Sequence, residues 1–219
     1  MALFGGPLPT RPPGVCVGCP ERPVFSAMKL LERDAGKFHL SADIGCHLFS
    51  TLPPFNIGNT VLGYGLGLAS NSAVHPMFAR RTVTMMGDGG FWQNGLTSGI
   101  ANAVFNKNDG VLVIMKNGYS SATGTQELPS SPQHSESKAS GMSMERALKG
   151  IGVEWLKTVN NYDVGATMKT LKEAMTTIKP KKARWNDGNH EFRIPRSFWN
   201  SPHGSQLLGI KEIRHASSV

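Results

Sequence analysis

Arg81-Thr-Val-Thr-Met-Met86, then Gly87-Asp88-Gly89-Gly90, and later Val111-Leu-Val-Ile-Met115 are the stretches that decide the fold. The first and last are short apolar runs bounded by turn residues, which is the signature of buried strands. Between them, residues 96–105 place apolar side chains at 96, 100, 103 and 104, a helical stripe. Strand, helix and strand in such a short span make a βαβ unit, and βαβ units imply a parallel sheet covered by helices. The expected class is α/β: an open, mostly parallel sheet with helices on both faces.

Working outward, residues 24–34 carry apolar side chains at 24, 25, 28, 30 and 31 and stop at Gly36, so they read as an amphipathic helix. Residues 38–43 read as a short strand and residues 58–74 as a helix of small residues. Residues 128–143, rich in Ser, Pro, Gln and His, read as a long surface loop. A short helix at 144–149, a strand at 153–159 and a helix at 164–178 follow. The expected division is an irregular Gly/Pro-rich lead-in over 1–14, one domain over 15–179, and a basic, aperiodic tail over 180–219.

Composition excludes several classes. The chain has 219 residues, 39% of them apolar and 17% charged, which fits neither a disordered acidic chain nor a coiled coil. No apolar run approaches the roughly 20 residues of a membrane helix, and the start lacks the pattern of a secretory leader. A cytoplasmic protein without a membrane partner is expected. The formal charge of +8 is concentrated in the segment 179–219, which carries eight Lys/Arg and three Asp/Glu. Such a tail gives salt-sensitive attraction to any polyanion and identifies no specific nucleic-acid partner.

Of 25 glycines, twelve lie between Gly58 and Gly124. Glycines directly after a strand expose backbone N–H groups and leave room for a phosphate. Asp88 and Asn117 should both emerge at the carboxyl ends of neighbouring parallel strands, where open α/β sheets bind ligands. Their side-chain oxygens, with a loop carbonyl beside Asn117, suit Mg2+ holding a diphosphate. Cys16, Cys19 and Cys46 have a spacing suggestive of metal ligation in a reducing compartment.

Gly87-Asp88-Gly89, followed some 28 residues later by Asn117, resembles the diphosphate-binding motif of thiamine-diphosphate enzymes. The resemblance implies Mg2+ ligation by Asp88, Asn117 and the main-chain oxygen of Tyr119. Gly63-Tyr64-Gly65-Leu66-Gly67 resembles the helix beside the diphosphate in that superfamily, which puts Gly65 near the cofactor. Longer blocks are similar to the 2-oxoacid:ferredoxin oxidoreductases of the indolepyruvate type. These are Cys16-Val-Gly-Cys-Pro-Glu-Arg22, Ala42-Asp-Ile-Gly-Cys-His-Leu-Phe49, the segment from Gly87 to Gly99, and Tyr119-Ser-Ser-Ala-Thr-Gly-Thr-Gln126.

That family resemblance implies oxidative decarboxylation of an aryl 2-oxoacid to an acyl-CoA, with electrons passing to ferredoxin. It makes Gly87, Asp88, Gly89, Gly90 and Asn117 the diphosphate turn. Asn94 is a candidate for lining the cofactor site or capping the next helix, and Thr123 and Gln126 for closing over the cofactor. It also implies a [4Fe–4S] cluster on Cys16, Cys19 and Cys46. The fourth cysteine expected beyond residue 178 is missing, and four thiolates are the usual holder. A partial cluster, a Cys3His zinc site using His47, and three unmetallated thiols all remain open.

Lys116 departs from the family pattern, and a lysine beside a cation site repels the metal unless it points away. The catalytic glutamate is expected from a pyrimidine-binding domain or subunit outside these residues. The chain therefore reads as a truncated or altered relative, inactive alone. The alternatives are a non-oxidative thiamine-diphosphate enzyme domain, against which the three cysteines argue, or a non-catalytic cofactor-binding fragment.

Overall fold

Alternate residues of the two central strands face opposite ways, and each face is apolar, so both must be covered. The computed structural model describes residues 10, 12–131 and 142–176, and the backbone of 206–211. The strands are β1 (Leu40–Ala42), β2 (Thr60–Val61), β3 (Val83–Gly87), β4 (Val111–Met115), β5 (Tyr119–Ser120), β6 (Gln126–Glu127), β7 (Trp155–Asn160) and β8 (Gln206–Lys211). Six of them form one sheet in the order β2-β1-β3-β4-β8-β7, with every pairing parallel. β5 and β6 form a separate antiparallel pair just after β4.

One face carries Leu40, Ala42, Val83, Met85, Val111, Val113 and Met115. Helix α1 (Arg22–Ala35) covers it with Val24, Phe25, Met28 and Leu31, and α6 (Val164–Thr176) covers it with Leu171 and Ala174. The other face carries Met86, Leu112 and Ile114. There α2 (Gly67–Val74) brings Leu68, and α5 (Met144–Ile151) brings Met144 and Leu148. A continuous helical segment from Asp88 to Phe105 adds Phe91, Ile100 and Ala103 to that face. It opens as α3 (Asp88–Gly90), is π-wound over Phe91–Ala101 and closes as α4 (Asn102–Phe105). Each large side chain removed from water in this way contributes about 1.5–3 kcal/mol. The α/β expectation holds.

Three details differ from the sequence reading. The segment 58–74 is helical only from Gly67, because Gly65 adopts φ 78° and donates its N–H to the Asp43 carboxylate at 2.7 and 2.9 Å. A left-handed residue held this way cannot sit inside a helix. The helix after β3 begins at Asp88 itself, so the glycine turn is reduced to a strand-to-helix junction at Gly87. The region read as an aperiodic tail supplies β8, which pairs with both β4 and β7 and closes the gap between them. The rest of that tail, and most of the surface loop read at 128–143, lie outside the described residues.

Candidate functional site

β1, β3 and β4 are neighbours in the sheet, so their carboxyl ends open onto the same edge. A cavity of about 450 Å³ lies there. Gly87, Asp88, Gly89, Gly90, Asn117, Tyr119, Thr123, Gln126 and Cys46 all line it. Gly65 and Asn94 do not. They sit behind the wall, where the Asn94 amide donates to the Tyr64 carbonyl at 3.0 Å and Asn94 Oδ1 accepts from Ser98. Thr123 and Gln126 bond to each other, which shapes the β5–β6 hairpin at the cavity rim.

Asp88 is 2% exposed. One carboxylate oxygen accepts the N–H groups of Asn117 (3.0 Å) and Gly118 (2.7 Å), and the other accepts that of Gly89 (3.0 Å). The two turns that carry Asp88 and Asn117 are thus tied together by the carboxylate itself. Burial pushes the Asp88 carboxyl up to about 6, against the opposing pull of these N–H groups. Asn117 is held by Ser121 and accepts the Tyr119 N–H at 3.0 Å. Lys116 points away and pairs with Glu145 at 3.1 Å, so the repulsion expected at the metal site is offset by a carboxylate.

These residues fit a metal-bound diphosphate. A buried carboxylate without a cationic side chain beside it has room for a cation. Among the described residues, no lysine or arginine lines the cavity. Asp88, the Asn117 side chain and the Tyr119 carbonyl offer the oxygen donors that Mg2+ prefers.

The cysteines fit less well. Cys16 is exposed, while Cys19 and Cys46 are partly buried. Burial raises both of the latter thiols, Cys46 to about 11. Among the described residues, no group of three or more His, Cys, Asp or Glu side chains is arranged to hold a metal ion. Three thiols without a fourth do not complete a four-thiolate cluster site.

Sequence reasoning missed Glu21 and Asp43, and named His47 only as a ligand of a Cys3His zinc site. Glu21, which opens α1, lines the cavity and is 7% exposed; burial, with Asp88 adding to it, raises its carboxyl to about 8. His47 sits 3.9 Å from it and is kept neutral by burial, its pKa lowered to about 4. Neither Glu21 Oε2 nor His47 Nε2 has a hydrogen-bond partner. Asp43 is fully buried and clamps Ile44 N–H as well as Gly65 N–H. All three residues lie in the quoted blocks, but no spacing rule marks them, because their partners come from elsewhere in the chain.

Asp43 gives a pH signature. Burial raises its carboxyl from 3.8 to about 6. The folded state then binds the proton more tightly than the unfolded one, so the contribution of Asp43 to stability is fully present below about pH 4 and is lost as pH rises through about 6. Asp43→Asn should make that decline smaller by about 2–3 kcal/mol. Urea unfolding of both proteins at pH 4 and pH 6.5 measures it, and equal declines would count against a buried, proton-binding Asp43.

The sequence matches the family model described as "Thiamine pyrophosphate enzyme, C-terminal TPP binding domain" over residues 43–182. It is 31% identical over 173 residues to the indolepyruvate oxidoreductase subunit IorA of Methanothermobacter thermautotrophicus, covering 77% of this chain and 28% of that protein. It is 30% identical over 183 residues to the subunit of the same name from Thermococcus kodakarensis, with the same coverage. The chain thus spans little more than a quarter of the length of these relatives.

Among solved structures, the fold is similar to a 2-oxoglutarate:ferredoxin oxidoreductase from Magnetococcus marinus, with TM-score 0.67 and 16% identity, covering 91% of this chain and 64% of the other. It is also similar to benzoylformate decarboxylase from Polynucleobacter necessarius, with TM-score 0.50 and 19% identity, covering 91% and 34%. The family match spans more than half of the chain and includes Asp88 and Asn117: the chain belongs to the thiamine pyrophosphate enzymes, as their C-terminal TPP-binding domain.

Proposed function

We propose that this chain is the thiamine-diphosphate and Mg2+ site of an indolepyruvate-type 2-oxoacid:ferredoxin oxidoreductase. The observation that carries the reading is the buried Asp88 carboxylate, which ties the β3 and β4 turns together beside the cavity. Similarity to the two IorA subunits supports the choice of an aryl 2-oxoacid over other substrates. Thiamine diphosphate, when bound, supplies the electron sink for decarboxylating a 2-oxoacid.

The roles of this chain are binding and orientation. Asp88, the Asn117 side chain and the Tyr119 carbonyl hold the cation. Gly89 and Gly90, at the start of a long helical segment, let backbone approach the phosphates. Met115 and Ile44 add apolar side chains to the cavity wall. A pyrimidine-binding domain or subunit supplies the glutamate, and ferredoxin and coenzyme A act as the electron and acyl acceptors. No cluster-dependent step is assigned to the three cysteines.

Calorimetric titration of thiamine diphosphate into the chain, with and without Mg2+, tests the reading. Binding that depends on Mg2+ is expected. No binding in either condition would overturn it.

A further inference from the structure

We propose that Tyr64 and Ser120 form a hydroxyl clasp that grips the phosphoryl oxygens of the diphosphate ligand over Gly89. The proposal rests on the cofactor reading above and names binding residues that the motif does not contain. Tyr64 lies in the segment leading into α2, and Ser120 lies in β5. They are 56 positions apart in sequence, yet their hydroxyls meet at 2.8 Å. Both line the cavity that holds Asp88.

Their meeting point is directly over the diphosphate turn. A Cβ on Gly89 would lie 2.2 Å from Tyr64 Oη and 2.7 Å from Ser120 Oγ. Space for the two hydroxyls is therefore one reason that position 89 carries no side chain. Tyr64 is also held on both sides: its carbonyl accepts the Asn94 amide, and the next N–H is clamped by Asp43. The phenol is aimed by fixed main chain before any ligand arrives, which lowers the ordering cost of binding.

Charge supplies the second argument. A diphosphate carries several negative charges, and no lysine or arginine is among the described residues lining the cavity. The cation and neutral donors must meet that charge. A hydroxyl pair bonded to itself uses one of its two protons, leaving the other free for an anion. When a phosphoryl oxygen enters, both protons can turn to it, and hydrogen bonds to a charged acceptor are the stronger kind.

The test uses calorimetry with Mg2+ and two probes, thiamine diphosphate and inorganic pyrophosphate, on the wild type, Tyr64→Phe and Ser120→Ala. Each substitution removes one hydroxyl, and urea unfolding checks each fold. Each variant is expected to bind both probes about 10- to 100-fold more weakly. The double variant should lose less than the sum of the two, since the hydroxyls share a bond in the free chain. Affinity within twofold of wild type in both variants, with or without a loss of stability, would overturn the clasp and make the pair purely structural. Tighter binding would overturn it as well, since the pair would then be a latch that the ligand must break. A wild type that binds neither probe would overturn the cofactor reading, and the clasp falls with it.

Discussion

Asp88→Ala is expected to weaken Mg2+-dependent binding of thiamine diphosphate by at least about 100-fold, a loss of roughly 3 kcal/mol. The substitution removes the one charged oxygen donor among the proposed cation ligands. It also removes the acceptor shared by the N–H groups of Gly89, Asn117 and Gly118, so the two turns lose their tie. Asp88→Asn separates these effects, since it keeps the shape and one acceptor oxygen while losing the charge. The asparagine variant should retain most of the folding stability and still bind poorly. Calorimetry on the three proteins, beside urea unfolding, decides. Equal affinity in wild type and Asp88→Ala would sink the assignment of Asp88 to the cation.

The second large effect concerns stability. Gly65→Ala should cost about 2–4 kcal/mol, seen as a lower urea midpoint with an unchanged slope. Gly65 holds φ 78°, and a Cβ there would lie 2.7 Å from Gly95 N, 2.7 Å from Asn94 Cβ and 2.9 Å from Gly90 O. Two of these three atoms are backbone at the start of the Asp88–Phe105 helical segment, so a rotamer change cannot relieve the clash. The methyl would push that helix start away from α2 or unseat the Asp43 clamp. Gly150→Ala is the control. That position is exposed near the end of α5, with nothing within 4 Å of its Cβ, and alanine there should stabilise by about 0.5–1 kcal/mol. A Gly65→Ala midpoint equal to wild type would refute the close approach of these segments.

Much of the fold was legible because its signals are local. The apolar runs that become β3 and β4 alternate between two buried faces, and residues 24–34 show the stripe that packs α1 on one of them. The Asp88 and Asn117 positions were legible for a related reason. Each lies two residues past the end of an apolar run, and parallel strands joined by one helix deliver their ends to the same edge. Residues whose partners come from distant segments were not legible. Lys116 reads as a threat to the cation site until Glu145, 29 residues on, is seen beside it. The small-residue stretch 58–74 reads as one helix until Asp43 is seen holding Gly65.

The sequence by itself determined the α/β class and the placing of Asp88 and Asn117 just past two neighbouring parallel strands, because each is a matter of residue type and short-range order. Only the tertiary structure decided the rest. It placed β8 between β4 and β7, a pairing whose register depends on two partners more than 40 residues away, with no periodicity in the strand itself to announce it. It brought Glu21 and His47 to the cavity wall and removed Gly65 and Asn94 from it. It also set the hydroxyls of Tyr64 and Ser120 over Gly89. Hydrogen bonds and burial act across space, and a chain records spatial neighbours only where the backbone repeats or turns in a fixed way.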